Sequence, residues 1–195
     1  MKTTIYLVRH GEVHNPDQIM YERLPGFQLS ELGRKQAHTL GKFLSGKNVS
    51  ALYASPLERT IETATIVSSY HKDLSIIKDE RIIEVSTTAR GMSVKVLEAM
   101  HWDFYTPEFT SKGGETLEDI WKRMSHFFEE TVKKHQGQEI IVVSHGDPIM
   151  ISAVKHKGKP LTLTEIRGEE YVPTAKGFEI IYEKERPLEV KRLDF

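Results

Sequence analysis

Residues 5–12 read IYLVRHGE. An apolar run from Ile5 to Val8 passes straight into Arg9, His10 and Gly11. Four consecutive apolar residues have the length and composition of a strand buried on both faces. Such a strand has no reason of stability to end in a cation and an imidazole. Residues 139–148, EIIVVSHGDP, repeat the arrangement, with Ile140 to Val143 running into Ser144, His145 and Gly146. Two buried strands that each end in His-Gly point to one site assembled from both.

The chain has 195 residues, 27 basic against 28 acidic side chains and a formal net charge of -1. That length is sufficient for one core without staples, and no linker, repeat or low-complexity tract divides it, so a single domain over 1–195 is expected. The balanced charge gives no global field for nucleic acid or anionic lipid, so any anion must be bound locally. There is no cysteine, which removes disulfides, a thiolate nucleophile and thiolate zinc sites together. No apolar run approaches a membrane span or the core of a secretory signal. A soluble, cytoplasmic protein is expected, with no nucleic-acid or membrane partner.

Thr4–Val8, Ala51–Ala54, Leu74–Ile77 and Ile140–Val143 have strand character, with helical patterns between them. LSELGRKQAHTLGKFLSG offers Ser30 as N-cap, Leu32, Ala37, Leu40, Phe43 and Leu44 near one face, and Gly46 as a stop. In SPLERTIETATIV, Ser55, Pro56 and Glu58 form the pattern of a capping box, and Leu57, Ile61, Ala64 and Val67 follow at helical spacing. A third helix starts at Thr116, with Asp119 completing its box and Ile120, Trp121, Met124, Phe127, Phe128 and Val132 on its inner stripe. Phe178–Tyr182 and Leu188–Leu193 read as a late hairpin or edge strands. The alternation predicts a mostly parallel sheet covered on both faces, with its ligand site at the carboxyl ends of the strands, where Arg9, His10 and His145 lie.

A phosphate monoester carries about two negative charges near neutral pH, and a rim of arginine and histidine can neutralise them. Arg9 offers a planar fork. Arg59 sits in the first turn of a helix, where a cation opposes the macrodipole, so its task is to meet an anion rather than to stabilise the helix. A neutral imidazole is a competent nucleophile toward phosphorus; His10 is the candidate, and His145 a second donor. The glycine after each histidine would let the backbone approach the ligand. A metal reading uses His10, Glu12, His14 and His145, but there is no HExxH helix and the arginines would repel a dication. The other histidines read as surface or core. No GxxxxGK[ST] or GxSxG occurs.

The segments LVRHGE, LSELGRKQA, ASPLERTIETA, GGETLEDIWKRM and VVSHGDPI together resemble the histidine phosphatase superfamily, or phosphoglycerate mutase-like family, over most of residues 3–150; the tail after Lys155 adds little. The resemblance implies a three-layer α/β/α sandwich, no cofactor, no metal and a phosphohistidine intermediate. Carried over by motif, His10 would be the nucleophile, and Arg9, Arg59 and His145 would complete the phosphate pocket, with Asn15 as a further phosphate contact. The acid that protonates the leaving oxygen maps to Glu84, with Glu80 as the alternative. The sequence departs from the family pattern in a shorter loop after RHGE, in GFQLSELG, and in VSTTARGMS, which stands where Gly-x-Trp-Glu-Gly is common. Glu115 of GGET reads as a helix-start carboxylate rather than a pocket residue. A segment around 86–112 would cap the site, and its Met, Trp, Phe and Tyr residues either pack that cap or contact the leaving group. DERIIEV does not match the mutase pattern, so a phosphatase acting on a small phosphorylated metabolite is expected. A cofactor-dependent phosphoglycerate mutase is the alternative, and a non-catalytic phospho-ligand binder a distant third.

Overall fold

The computed structural model describes residues 1–168 and 171–195. In chain order the elements are β1 (Lys2–Arg9), α1 (Glu31–Leu44), β2 (Val49–Ala54), α2 (Glu58–Ser68), β3 (Ile76–Lys78), α3 (Val94–Ala99), α4 (Pro107–Thr110), α5 (Leu117–Lys134), β4 (Glu139–Ser144), α6 (Gly146–His156), α7 (Leu163–Arg167), β5 (Gly177–Glu183) and β6 (Arg186–Arg192). The sheet order is β3-β2-β4-β1-β5-β6. The first four strands in that order run parallel, and β5 and β6 close the far edge as the antiparallel hairpin.

The two-residue period of the central strands divides the core. Ile5, Leu7, Tyr53, Ile140 and Val142 face α5 and α6, packing on Phe127, Met124 and Ile149. Tyr6, Val8, Leu52, Ala54, Ile141 and Val143 face α1 and α2, packing on Leu40, Leu44, Ala64 and Val67. Because both faces are covered, the strands read as continuous apolar runs, and the three expected layers are present. Among the described residues no helix is long and apolar enough to cross a membrane.

Ser30 caps α1 by accepting from the Gly33 amide, and Thr116 and Asp119 form both halves of the box that starts α5. The expected box at Ser55 does not form. α2 begins three residues later with Leu57 as N-cap and no side-chain cap, because the Ser55 hydroxyl is engaged elsewhere. The third strand starts at Ile76 rather than Leu74, and Leu32, expected on the inner face of α1, is half exposed.

The glycines after the two histidines make room for close packing, Gly11 against backbone and Gly146 against the Tyr171 side chain. A Cβ on Gly11 would lie 2.4 Å from the Gly33 carbonyl oxygen, one on Gly33 2.0 Å from the Glu12 carbonyl oxygen, and one on Gly146 2.2 Å from the Tyr171 hydroxyl. The loop after β1 therefore nests directly on the first turn of α1. Gly33→Ala gains about 1 kcal/mol of helix propensity but must displace backbone, at roughly 1–3 kcal/mol. Net destabilisation in urea denaturation is expected; a more stable variant would show that the loop gives way without cost.

Candidate active site

β1 and β4 pair in parallel with Arg9 opposite Ser144, so the next residue of each strand leaves the sheet at the same level. These are His10 and His145, whose ring centroids are 5.2 Å apart. The Nδ1 of His10 lies 2.7 Å from the Gly11 carbonyl oxygen. A carbonyl only accepts, so Nδ1 carries the proton and Nε2 the lone pair. Arg59 Nε, which only donates, meets that lone pair at 3.3 Å. Burial, and then the nearby charges of Arg59 and Arg9, hold the His10 pKa well below its ordinary value, so the ring is neutral with a free-electron nitrogen beside a cation.

His145 is fully buried, and burial followed by Arg59 depresses its pKa as well. Its Nε2 is 2.8 Å from the Ser55 hydroxyl, which is where that side chain is used. Its Nδ1 lies 3.5 Å from Glu84 Oε2 and has no hydrogen-bond partner among the described residues.

Glu84 enters the site and Glu80 does not. Glu80 is exposed at the start of a 3-10 turn, Glu80–Ile82, whereas Glu84 Oε2 is 3.8 Å from Arg59 Nη2 and its Oε1 accepts from the Val85 amide at 2.9 Å. Burial raises the Glu84 pKa against the opposing pull of Arg59. The segment lacks the usual Gly-x-Trp-Glu-Gly, yet it is firmly braced. Arg23 Nε and Arg123 Nη2 donate to the Glu84 carbonyl oxygen at 2.8 and 3.3 Å, and Glu115 accepts from both arginines and from the Ser86 amide. Glu115 is thus neither a helix-start carboxylate nor a pocket residue but the anion that fixes two arginines beneath the acid.

Arg59 is buried, donates from Nη2 to the Glu22 carbonyl oxygen at 2.7 Å and lies 4.8 Å from the Tyr21 ring centroid. Arg9 donates from Nη1 to the Val172 carbonyl oxygen at 2.9 Å. Both forks are oriented before any ligand arrives. Asn15 lines the same cavity, with its amide already bonded to the Ile19 amide and carbonyl.

The metal set drawn from Glu12 and His14 does not assemble. Glu12 accepts from the Ser30 hydroxyl, and His14 is exposed. The group that could hold an ion is His10, Glu84 and His145, whose donor atoms lie within 4.8 Å of one another. Arg59 stands between His10 and Glu84 as a competing cation.

A cavity of about 510 Å³ extends from Arg9 and Glu84 toward Ile19, Met20, Trp102 and Phe104. Trp102 and Phe104 come from the segment expected to cap the site, as does Val94. Sequence reasoning missed Ser55, Tyr21, Asp147, Arg167 and Tyr171. Asp147 is marked by its place in SHGDP; Arg167 and Tyr171 carry no local signal and fall in the tail after Lys155.

Strand-end histidines with two oriented arginines and a buried carboxyl, on a three-layer α/β sandwich, define an anion-binding site of enzyme type. The chain belongs to the histidine phosphatase superfamily (branch 1), whose sequence profile matches residues 5–180. It is 38% identical over 154 residues to phosphoserine phosphatase 1 of Hydrogenobacter thermophilus, covering 74% of this chain and 72% of that one. It is 31% identical over 153 residues to a 2,3-bisphosphoglycerate-dependent phosphoglycerate mutase of Thermoplasma acidophilum, covering 76% and 73%. Bacillus stearothermophilus YhfR has the same fold, with a TM-score of 0.82, 26% identity and coverage of 95% and 94%.

The buried histidines set a pH dependence of stability. In the unfolded chain each protonates near pH 6.5, but in the folded protein both stay neutral well below it. Below that value the unfolded state binds more protons, so stability falls as pH drops. Glu84, raised on folding, acts oppositely and loses stability as pH rises through its folded value. With four histidines lowered on folding, His10, His71, His145 and His156, against the raised Glu84, stability is expected to decline from pH about 7 to about 5, each histidine contributing at most about 1.4 kcal/mol per pH unit. Urea denaturation across this range should show the slope, and His145→Gln should reduce it by about one proton. An unchanged slope would mean that His145 is charged in the folded protein.

Proposed function

We propose that the protein is a metal-independent phosphatase that hydrolyses small phosphate monoesters through a phosphohistidine on His10. The observation that carries this reading is the fixed tautomer of His10, with Nδ1–H on the Gly11 carbonyl and the Nε2 lone pair directed at Arg59. In the reaction a phosphate oxygen takes over the Arg59 donor, and Arg9 and His145 meet the remaining charge. His10 Nε2 attacks phosphorus while the bond to the alcohol oxygen breaks, and Glu84 gives its proton to the departing alkoxide. Glu84, now ionised, takes a proton from water; the water oxygen attacks the phosphohistidine, and phosphate leaves with His10 restored.

The raised pKa of Glu84 fits a group that must hold a proton at the first step. The arginines supply the positive field that a metal would otherwise provide, so exhaustive chelation is expected to leave the rate unchanged. Among the relatives, one is named as a phosphatase and another as a mutase; isomerisation of phosphoglycerate with its bisphosphate cofactor is the assay that separates them, and hydrolysis without isomerisation is expected here.

His10→Ala should abolish turnover and the acid-labile phosphoenzyme together, and retention of either would overturn the assignment. Glu84→Gln should slow phosphorylation by alkyl phosphates by about 10²–10⁴ in rapid mixing, with a much smaller loss on nitrophenyl phosphate, whose leaving group needs no proton. Equal losses on both, or the selective pattern at Glu80→Gln, would remove Glu84 from the role of acid.

A further inference from the structure

Two residues beyond His145, on the wall of the cavity, stands a charge cluster to which the proposed chemistry assigns no step. Asp147, in the first turn of α6, is buried and accepts four hydrogen bonds: Arg167 Nη2 at 2.7 Å, Arg167 Nη1, the Tyr105 hydroxyl at 2.5 Å and the Tyr171 hydroxyl at 2.6 Å. Burial would push its pKa up, but Arg167 and the hydroxyls hold it below the ordinary value, so the carboxylate is ionised. Arg167 and Asp147 both line the cavity. Their fork-to-carboxylate contact cancels the arginine's charge within the pocket itself.

The wall beside this pair is aromatic. The Arg167 guanidinium lies 5.4 Å from the Phe104 ring centroid and 5.3 Å from that of Tyr171, and Trp102, Met20 and Ile19 continue the surface. Trp102 is held there by backbone geometry rather than chance. The Trp102 amide bonds the Leu97 carbonyl at 2.8 Å and the His101 amide the Glu98 carbonyl at 2.9 Å, which is the Schellman pattern ending α3. His101 and Trp102 both take positive φ, 51° and 57°, a conformation unfavourable for non-glycine residues that clusters where a side chain must be aimed. Arg167 Nη2 also donates to the Trp102 carbonyl at 3.3 Å, so the same arginine anchors the wall.

We propose that Asp147, by neutralising Arg167, makes this end of the cavity an uncharged aromatic subsite that selects monoesters of ring-bearing, uncharged alcohols over monoesters carrying a second anion. The inference rests on the phosphatase reading and names the substrate class of that site. A second carboxylate or phosphate would enter between Asp147 and the cavity acids Glu22 and Glu84, with Arg167 already engaged by Asp147 and Arg9, beside the Tyr171 ring, committed to the transferring phosphate. A ring stacks instead on the partly exposed Trp102, behind which the buried Phe104 lies. Arg167 Nε, buried and without a partner among the described residues, is left to meet one hydroxyl or carbonyl oxygen of such a ligand.

The test compares benzyl phosphate, ethyl phosphate and phosphoglycolate, all with alkoxide leaving groups. Both kcat/KM on the wild-type protein and Kd on the non-reacting His10→Ala variant are measured. Benzyl phosphate is expected to exceed ethyl phosphate, and ethyl phosphate to exceed phosphoglycolate, each by at least about tenfold. Trp102→Ala should erase the benzyl advantage while leaving ethyl phosphate nearly unchanged. Asp147→Asn, which releases the Arg167 charge, should raise phosphoglycolate relative to ethyl phosphate by about tenfold, a gain that damage to the fold would not produce. If Asp147→Asn fails to fold, the wild-type order and Trp102→Ala still decide. A wild-type preference for phosphoglycolate, or equal binding of all three, overturns this proposal while the phosphatase reading stands. Absence of turnover on every monoester overturns the phosphatase reading, and the Kd order then decides the subsite independently.

Discussion

Parallel pairing of β1 with β4 in a single register is the constraint on which the site depends. Arg9 stands opposite Ser144, and the His10 amide continues the ladder by bonding the Ser144 carbonyl at 3.1 Å. A slip of one residue would turn each apolar run inside out, exchanging the sets that face α5 and α1. The hydrophobic layers on both sides forbid that slip, so the cores themselves hold the two imidazoles side by side. β2 extends the same logic: it pairs with β4 up to Ala54 opposite Val143, which delivers Ser55 to His145 and α2, with Arg59, to His10.

Burying this many polar groups costs stability, and most of them meet a specific partner, with His145 Nδ1 and Arg167 Nε left without one among the described residues. Arg59 gives its donors to the Glu22 carbonyl and to His10, and its face to Tyr21. A buried ion pair contributes little net stability, because desolvation offsets most of the attraction. The arrangement of Glu115 with Arg23 and Arg123 is better understood as geometric: both arginines converge on the Glu84 backbone, so the acid's position does not depend on the ionisation of its own carboxyl. A proton can then come and go without the loop moving.

Much of the catalytic end was legible in the sequence because its signals are local and periodic. The apolar runs ending at His10 and His145, the Arg59 that opposes its own helix dipole, and the Thr116 box all report themselves within a few residues. Where the reading failed, a tertiary partner outcompeted a local one. Ser55 satisfies the capping pattern, yet its hydroxyl goes to His145 and α2 starts uncapped. α6 gave no amphipathic signal because it is buried on every side, from Gly146 to Val154, so periodicity could not mark it. Arg167 and Tyr171 lie on a short helix and an irregular stretch, where only the fold brings them to Asp147. Leu32 shows the converse error, a helix-phase position that no neighbouring element covers.

Chemistry and selectivity are thereby placed on different kinds of support. His10, Arg9 and His145 issue from strand ends in the middle of the sheet, the most rigid location the fold offers. Trp102 and Phe104 lie between two short helices after a left-handed turn, with Phe104 buried in the core, Trp102 packed against it, and Arg167 bonding the Trp102 carbonyl. Among the described residues no hydrogen bond or ion pair joins Trp102 or Phe104 to the histidine pair. Asp147, by contrast, is two residues from His145 along α6, and its charge contributes to the raised pKa of Glu84, so a change there acts on the alcohol subsite and on the acid at once. The four donors on Asp147 therefore fix a charge felt by both the aromatic wall and the Glu84 carboxyl.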